Sequence, residues 1–96
     1  MESHTIRPNI ISLLSGQELD ARDLSQELEL KEKEIYEHLV HVEQSVAASR
    51  GRFVITPSQC LLCGYVFKDR RRLTRPSRCP QCRRSKLQNP SFRILS

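Results

Sequence analysis

Four cysteines stand in two pairs, Cys60-Leu61-Leu62-Cys63 followed by Gly64, and Cys79-Pro80-Gln81-Cys82, with residues 64–78 between them. Two residues between thiols let a tight turn aim both sulfurs at one point, and a second such turn completes a tetrahedron. The pattern predicts one structural zinc ion held by Cys60, Cys63, Cys79 and Cys82. Iron would accept the same four thiolates. Two disulfides would need an oxidising compartment, and a dithiol redox motif would need a single pair in a βαβ setting. Four thiolates fill the coordination sphere and leave no position for water, so such an ion folds the chain and does not catalyse.

Between the two pairs lies a second chemical group. Lys68, Arg70, Arg71, Arg72, Arg75 and Arg78 fall between the cysteine turns. Guanidinium forks match phosphate oxygens and the guanine edge. On a hairpin, Arg70 and Arg72 would share one face while Arg71 joins Leu73. Tyr65 and Phe67 at the base read as ribbon core rather than as base-stacking platforms, which argues against single-stranded nucleic acid. The formal net charge of +5 conceals a division: residues 1–48 carry four basic against ten acidic side chains, net −6, and residues 49–96 carry twelve against one, net +11. Such asymmetry points to a polyanionic partner for the second half.

The elements that position these groups follow from spacing. Thr5 is placed to cap a first helix with Pro8 in its first turn, and Ile6, Ile10, Leu13 and Leu14 line one face. Ser15-Gly16 ends it, with the glycine suited to a left-handed conformation. Asp20 caps a second helix with Ala21, Leu24 and Leu28 inward, and Glu29-Leu30-Lys31 turns out of it. A third helix from about Glu32 to about Ala48 carries Ile35, Leu39, Val42 and Val46 as one stripe. Residues 52–56 read as a strand stopped by Pro57. Residues 65–67 and 74–78 read as strands of the cysteine ribbon. Residues 91–95 read as a last strand with Phe92 and Ile94 on one face, expected to pair with residues 53–56. Helix, turn and longer helix form a helix-turn-helix pattern, and the strands make it a winged one. The fold class expected is α+β: a three-helix winged helix-turn-helix over residues 1–56, closed by a strand at 91–96, with a zinc ribbon at 57–90 inserted at the wing.

In the third helix, Lys31, Lys33 and Tyr36 are placed to touch DNA, while Glu32, Glu34 and Glu37 would be repelled by phosphates. The ribbon arginines are therefore expected to dominate affinity. His38 and His41, with His4, read as surface or half-buried histidines and not as a second metal site. No nucleophile–base pair or phosphate loop appears, so no enzyme activity and no small-molecule substrate are expected.

The residues Glu34-Ile35-Tyr36-Glu37-His38-Leu39, Cys60 to Phe67 with the basic run behind them, Cys79-Pro80-Gln81-Cys82 and Pro90-Ser91-Phe92-Arg93-Ile94 together resemble small archaeal and bacterial transcriptional regulators that fuse an ArsR-like winged helix to a zinc ribbon. The resemblance implies regulation through duplex DNA. Metal sensing is not implied, because no cysteine lies in the helices. The sequence reading is thus a DNA-binding transcriptional regulator, monomer or homodimer, with zinc as its structural cofactor. A cytoplasmic setting is expected from the free thiols and the lack of an apolar leader or membrane span. The competing class is an adaptor that docks its acidic helical face and basic ribbon on protein or RNA. An iron electron carrier of the rubredoxin type would instead be coloured and reversibly reduced.

Overall fold

The computed structural model describes residues 3–68 and 72–95, with side chains from Thr5 onward. The chain runs α1 (Ser3–Gly16), β1 (Leu19–Asp20), α2 (Ala21–Leu28), α3 (Glu32–Ala48), β2 (Arg52–Thr56) and β3 (Ser91–Leu95). It is a mixed α+β protein: three helices, a three-stranded antiparallel sheet of order β1-β3-β2, and a cysteine ribbon.

The apolar stripes meet in one core. Ile10 and Leu14 of α1, Ala21 and Leu24 of α2, and Ile35, Leu39, Val42 and Val46 of α3 are buried against Phe92 and Ile94 of β3. Phe92 also stacks on Phe53 of β2, with ring centroids 5.8 Å apart. Burying such aromatic and aliphatic groups is the main stabilising term available to a chain this small.

The local signals act where they were expected in α2. The Asp20 carboxylate accepts from the Asp23 N–H at 2.8 Å, and the Asp23 carboxylate accepts from the Asp20 N–H at 3.1 Å, a reciprocal capping box. Glu29 ends the helix in the left-handed region at φ 57°, and the half-buried Leu30 packs on the core. In α3 the exit is different. Arg50 takes the left-handed conformation at φ 65°, and the Gly51 N–H closes on the Val46 carbonyl at 2.9 Å. Gly51 is needed for closeness: a Cβ there would stand 3.0 Å from Val46 Cγ1 and 3.2 Å from the Leu95 carbonyl.

Three local expectations are corrected. α1 starts before Thr5, so Thr5 is not its cap and Pro8 lies inside the helix beyond the first turn. Gly16 is the last residue of α1 and does not have positive φ. Residues 65–67 and 74–78 do not form strands; among the described residues the ribbon holds the isolated bridges Gln59↔Val66 and Cys60↔Leu87. The reason is composition: Pro76, itself buried, cannot donate to a ladder, and the backbone bends on both sides of it. The expectation that Arg70 and Arg72 share one face while Arg71 joins Leu73 rests on Arg70 and Arg71, which lie outside the described residues; Arg72 itself is in no strand.

The expected pairing of residues 53–56 with the last strand is present, from Phe53 opposite Ile94 to Thr56 opposite Ser91. Residues 57–90 leave the sheet after Thr56 and return at Ser91. The strand β1, two residues long, adds Leu19 opposite Phe92 on the far side of β3. At that edge the Glu18 carboxylate is held below the usual range by the Ser91 hydroxyl and then that of Thr56. No helix among the described residues is long and apolar enough to cross a membrane.

Candidate metal centre and basic surface

The two Cys-x-x-Cys turns are near copies of each other. In the first, Cys60 accepts from the Gly64 N–H at 3.0 Å and donates its own N–H to the Tyr65 carbonyl at 2.8 Å. In the second, Cys79 accepts from the Arg83 N–H at 2.8 Å and donates to the Arg84 carbonyl at 2.9 Å. The residue after each second cysteine is left-handed, Gly64 at φ 81° and Arg83 at φ 63°. Glycine reaches that region freely and arginine does so at a cost.

These turns bring four sulfurs together from two stretches of chain. Cys60 and Cys82 sulfurs are 3.5 Å apart, Cys63 and Cys79 sulfurs 3.6 Å, and all four lie within 4.8 Å of one another. A tetrahedron with Zn–S bonds of about 2.3 Å has edges of about 3.8 Å, so the donor set fits one zinc ion. The backbone lowers the Cys60 thiol and, against desolvation, that of Cys79. At Cys63 and Cys82 the backbone is outweighed: desolvation and then the neighbouring sulfurs push Cys63 up to about 11 and raise Cys82. The Cys63 N–H and then the Leu62 N–H hold the Cys60 thiol down to about 6, and the Gln81 N–H donates to Cys79 Sγ at 3.3 Å. Hydrogen bonds to sulfur favour the thiolate that metal binding requires. Cys60 and Cys79 are buried with Leu87 in a small second core, against which the half-buried Phe67 and Cys82 pack, while Cys63 is exposed. Tyr65 meets Phe67 edge to face at 5.0 Å. The protein is thus a zinc-ribbon protein with a closed, one-ion, four-thiolate centre.

The basic residues are spread unevenly around this centre. Lys68, Arg72 and Arg78 are exposed. Arg75 is exposed as well, but its guanidinium reaches the Leu87 carbonyl at 3.5 Å. Lys31 and Lys33 are exposed at the start of α3. Tyr36 is half-buried, and burial followed by the Glu32 and Asp20 charges pushes its phenol up. Tyr36 is therefore less accessible than a free helix face would make it. The cause is the ribbon: Leu73 packs on the same core as Tyr36, and Thr74 and Arg75 share a cleft with Glu32 and Tyr36.

Sequence reasoning missed Arg83, Arg84 and Lys86, all exposed beside the second cysteine turn. Their signal was present, since they follow Cys82 directly. It also missed Arg22, which the fold carries from α2 to the cleft beside Arg75. Nothing in the sequence links those two arginines.

Residues 5–55 match the family model described as PF0610-like, N-terminal, and residues 57–96 match the PF0610 rubredoxin-like zinc beta-ribbon domain. The solution NMR structure of protein PF0610 from Pyrococcus furiosus is similar, with a TM-score of 0.83 and 29% sequence identity. It covers 100% of this chain, which covers 93% of it. No curated protein matches the chain by sequence. Neither family description names an ArsR-like regulator.

Proposed function

The chain belongs to the PF0610-like family, and from that premise we propose that it is a winged helix-turn-helix protein that binds duplex DNA as a transcriptional regulator. The observation that carries the reading is the placing of a basic zinc ribbon between β2 and β3, the two strands that would form a wing. The element order supports it: helix, short strand, two helices joined by a three-residue turn, then two strands with β3 between β1 and β2. The ribbon stands where a wing tip would be.

In this reading Arg72, Arg78 and Lys68 meet phosphates, with Arg70, Arg71 and Arg75 in the same run and Arg83, Arg84 and Lys86 on the second cysteine turn. Lys31 and Lys33 contribute little, because Glu32 and Glu34 stand among them and the ribbon covers part of the α3 N-terminal half. Zinc is structural and no catalysis is assigned. A reducing compartment such as the cytoplasm keeps the thiols available. A homodimer remains compatible with the exposed Val40 on α3.

Fluorescence anisotropy of a labelled duplex against salt tests the proposal. The logarithm of affinity should fall with the logarithm of salt at about −0.9 per phosphate neutralised. The double change Arg72→Ala, Arg78→Ala should flatten that slope by about 2. An unchanged slope and affinity would refute it. A second reading, an adaptor that docks on a protein or RNA assembly, draws on one observation. Leu61, Leu62, Tyr65 and Val66 are exposed together around the first cysteine turn. Loss of partner binding in Leu61→Ser, Leu62→Ser, with DNA affinity retained, would favour it.

A further inference from the structure

A polar cleft of about 420 Å³ lies between the helices and the ribbon, lined by Arg22, Glu32, Tyr36, Thr74, Arg75 and Asn89. Its size suits a small molecule. Its lining joins two guanidinium groups from different parts of the chain, Arg22 on α2 and Arg75 on the ribbon. Arg22 has no hydrogen-bond or ion-pair partner among the described residues. Arg75 is steadied by the Leu87 carbonyl, and Leu87 belongs to the small core around the cysteines. Two arginines on one cleft are poised for an oxyanion, which guanidinium forks bind bidentately. α3 begins at this cleft without a side-chain cap, so the free N–H groups of its first turn add positive potential.

Glu32 refines the ligand. A carboxylate on the same lining accepts from a hydroxyl or an amine, and the Tyr36 phenol and Asn89 amide add further polar groups. We propose that this cleft binds a small phosphate monoester that carries hydroxyl or amino donors behind its phosphate, of the nucleoside monophosphate class. Arg22 and Arg75 hold the phosphate, and Glu32 receives the donors. The site is built only when the ribbon is folded, because Thr74 and Arg75 reach it from there. If the DNA reading above holds, an occupied cleft withdraws Arg75 from the duplex, and the ligand and DNA oppose each other.

The test uses the zinc-loaded full chain without DNA. Its ¹H–¹⁵N spectrum is titrated with adenosine monophosphate, with inorganic phosphate, and separately with a short duplex. Saturable shifts centred on Arg22, Glu32, Tyr36, Thr74 and Asn89 are expected, with the nucleotide binding more tightly than inorganic phosphate. Arg22→Gln should weaken nucleotide binding about ten-fold, Glu32→Gln should narrow the preference over inorganic phosphate, and Arg52→Gln, exposed on β2 away from the cleft, should change neither. The Phe92 and Ile94 signals report that each variant is folded. Shifts that follow Arg83, Arg84 and Lys86 would overturn the proposal, as would Arg22→Gln without effect. Saturation of the cleft by duplex alone would also overturn it and leave the DNA reading standing. Nucleotide binding without any duplex binding would retain it while removing that reading.

Discussion

The two cysteine turns invite a reciprocal exchange. Gly64 and Arg83 occupy equivalent positions, both left-handed, at φ 81° and φ 63°. A Cβ added at Gly64 would meet only Gln59 Nε2, at 3.9 Å, so Gly64→Ala creates no clash. Its cost is then the backbone term alone, about 1 kcal/mol for a non-glycine residue held in that region. Arg83→Gly should relieve a similar term, but it also removes a charge beside the thiolates. The comparison that isolates the backbone is therefore Arg83→Gly against Arg83→Ala, since both lose the guanidinium and only one keeps a Cβ. Metal affinity is the readout, because ion binding and ribbon folding are one process. In a competition with a chromophoric chelator, Gly64→Ala should weaken zinc binding about five-fold. Arg83→Gly should bind about five-fold more tightly than Arg83→Ala. Equal affinities for the two Arg83 variants would refute the claim that the second turn carries backbone strain.

Other expectations can be checked with standard measurements. Asp20→Ala removes the capping box of α2 and should cost about 1 kcal/mol in urea denaturation; no change would show the cap to be idle. Phe92→Ala empties the centre of the core beside Phe53 and should cost about 3–5 kcal/mol, leaving little or no folded protein. His38 should titrate below its ordinary 6.5, because burial and then the Arg7 charge disfavour the imidazolium, and the neutral ring accepts from Arg7 Nε at 3.4 Å. Its contribution to stability is complete above pH 6.5 and is lost as the pH falls through the lowered folded-state value. An NMR titration midpoint at or above 6.5 would refute this.

Much of the framework was legible because its signals are local. Asp20 announces a helix start, the stripe from Ile35 to Val46 announces a buried face, and two Cys-x-x-Cys pairs announce a metal. Phe92 and Ile94 alternate as a half-buried strand must. Other features had no local signal. Leu19–Asp20 is too short to show a period, and its pairing depends on β3 arriving from far along the chain. Gly16 and Gly51 both lie near helix ends, yet neither is the left-handed residue; Arg50 is, and Gly51 serves to leave room for Val46 and Leu95. Residues 74–78 read as a strand from their types, but Leu73 just before them packs onto the helical core. The cleft beside α3 follows from that packing, so it could not be read before the ribbon was placed.

The position of β3 has a further consequence. It is the middle strand, hydrogen-bonded on both sides, and the chain reaches it only after the whole excursion over residues 57–90. A newly made helical half therefore waits, its sheet unfinished and the pocket for Phe92 unfilled, until that detour has been traversed. With zinc gripping Cys60 and Cys79, much of the detour is ordered before its ends meet, and the entropy lost in closing it is smaller. The heat resistance of helices that never touch the ion should accordingly rise with free zinc concentration.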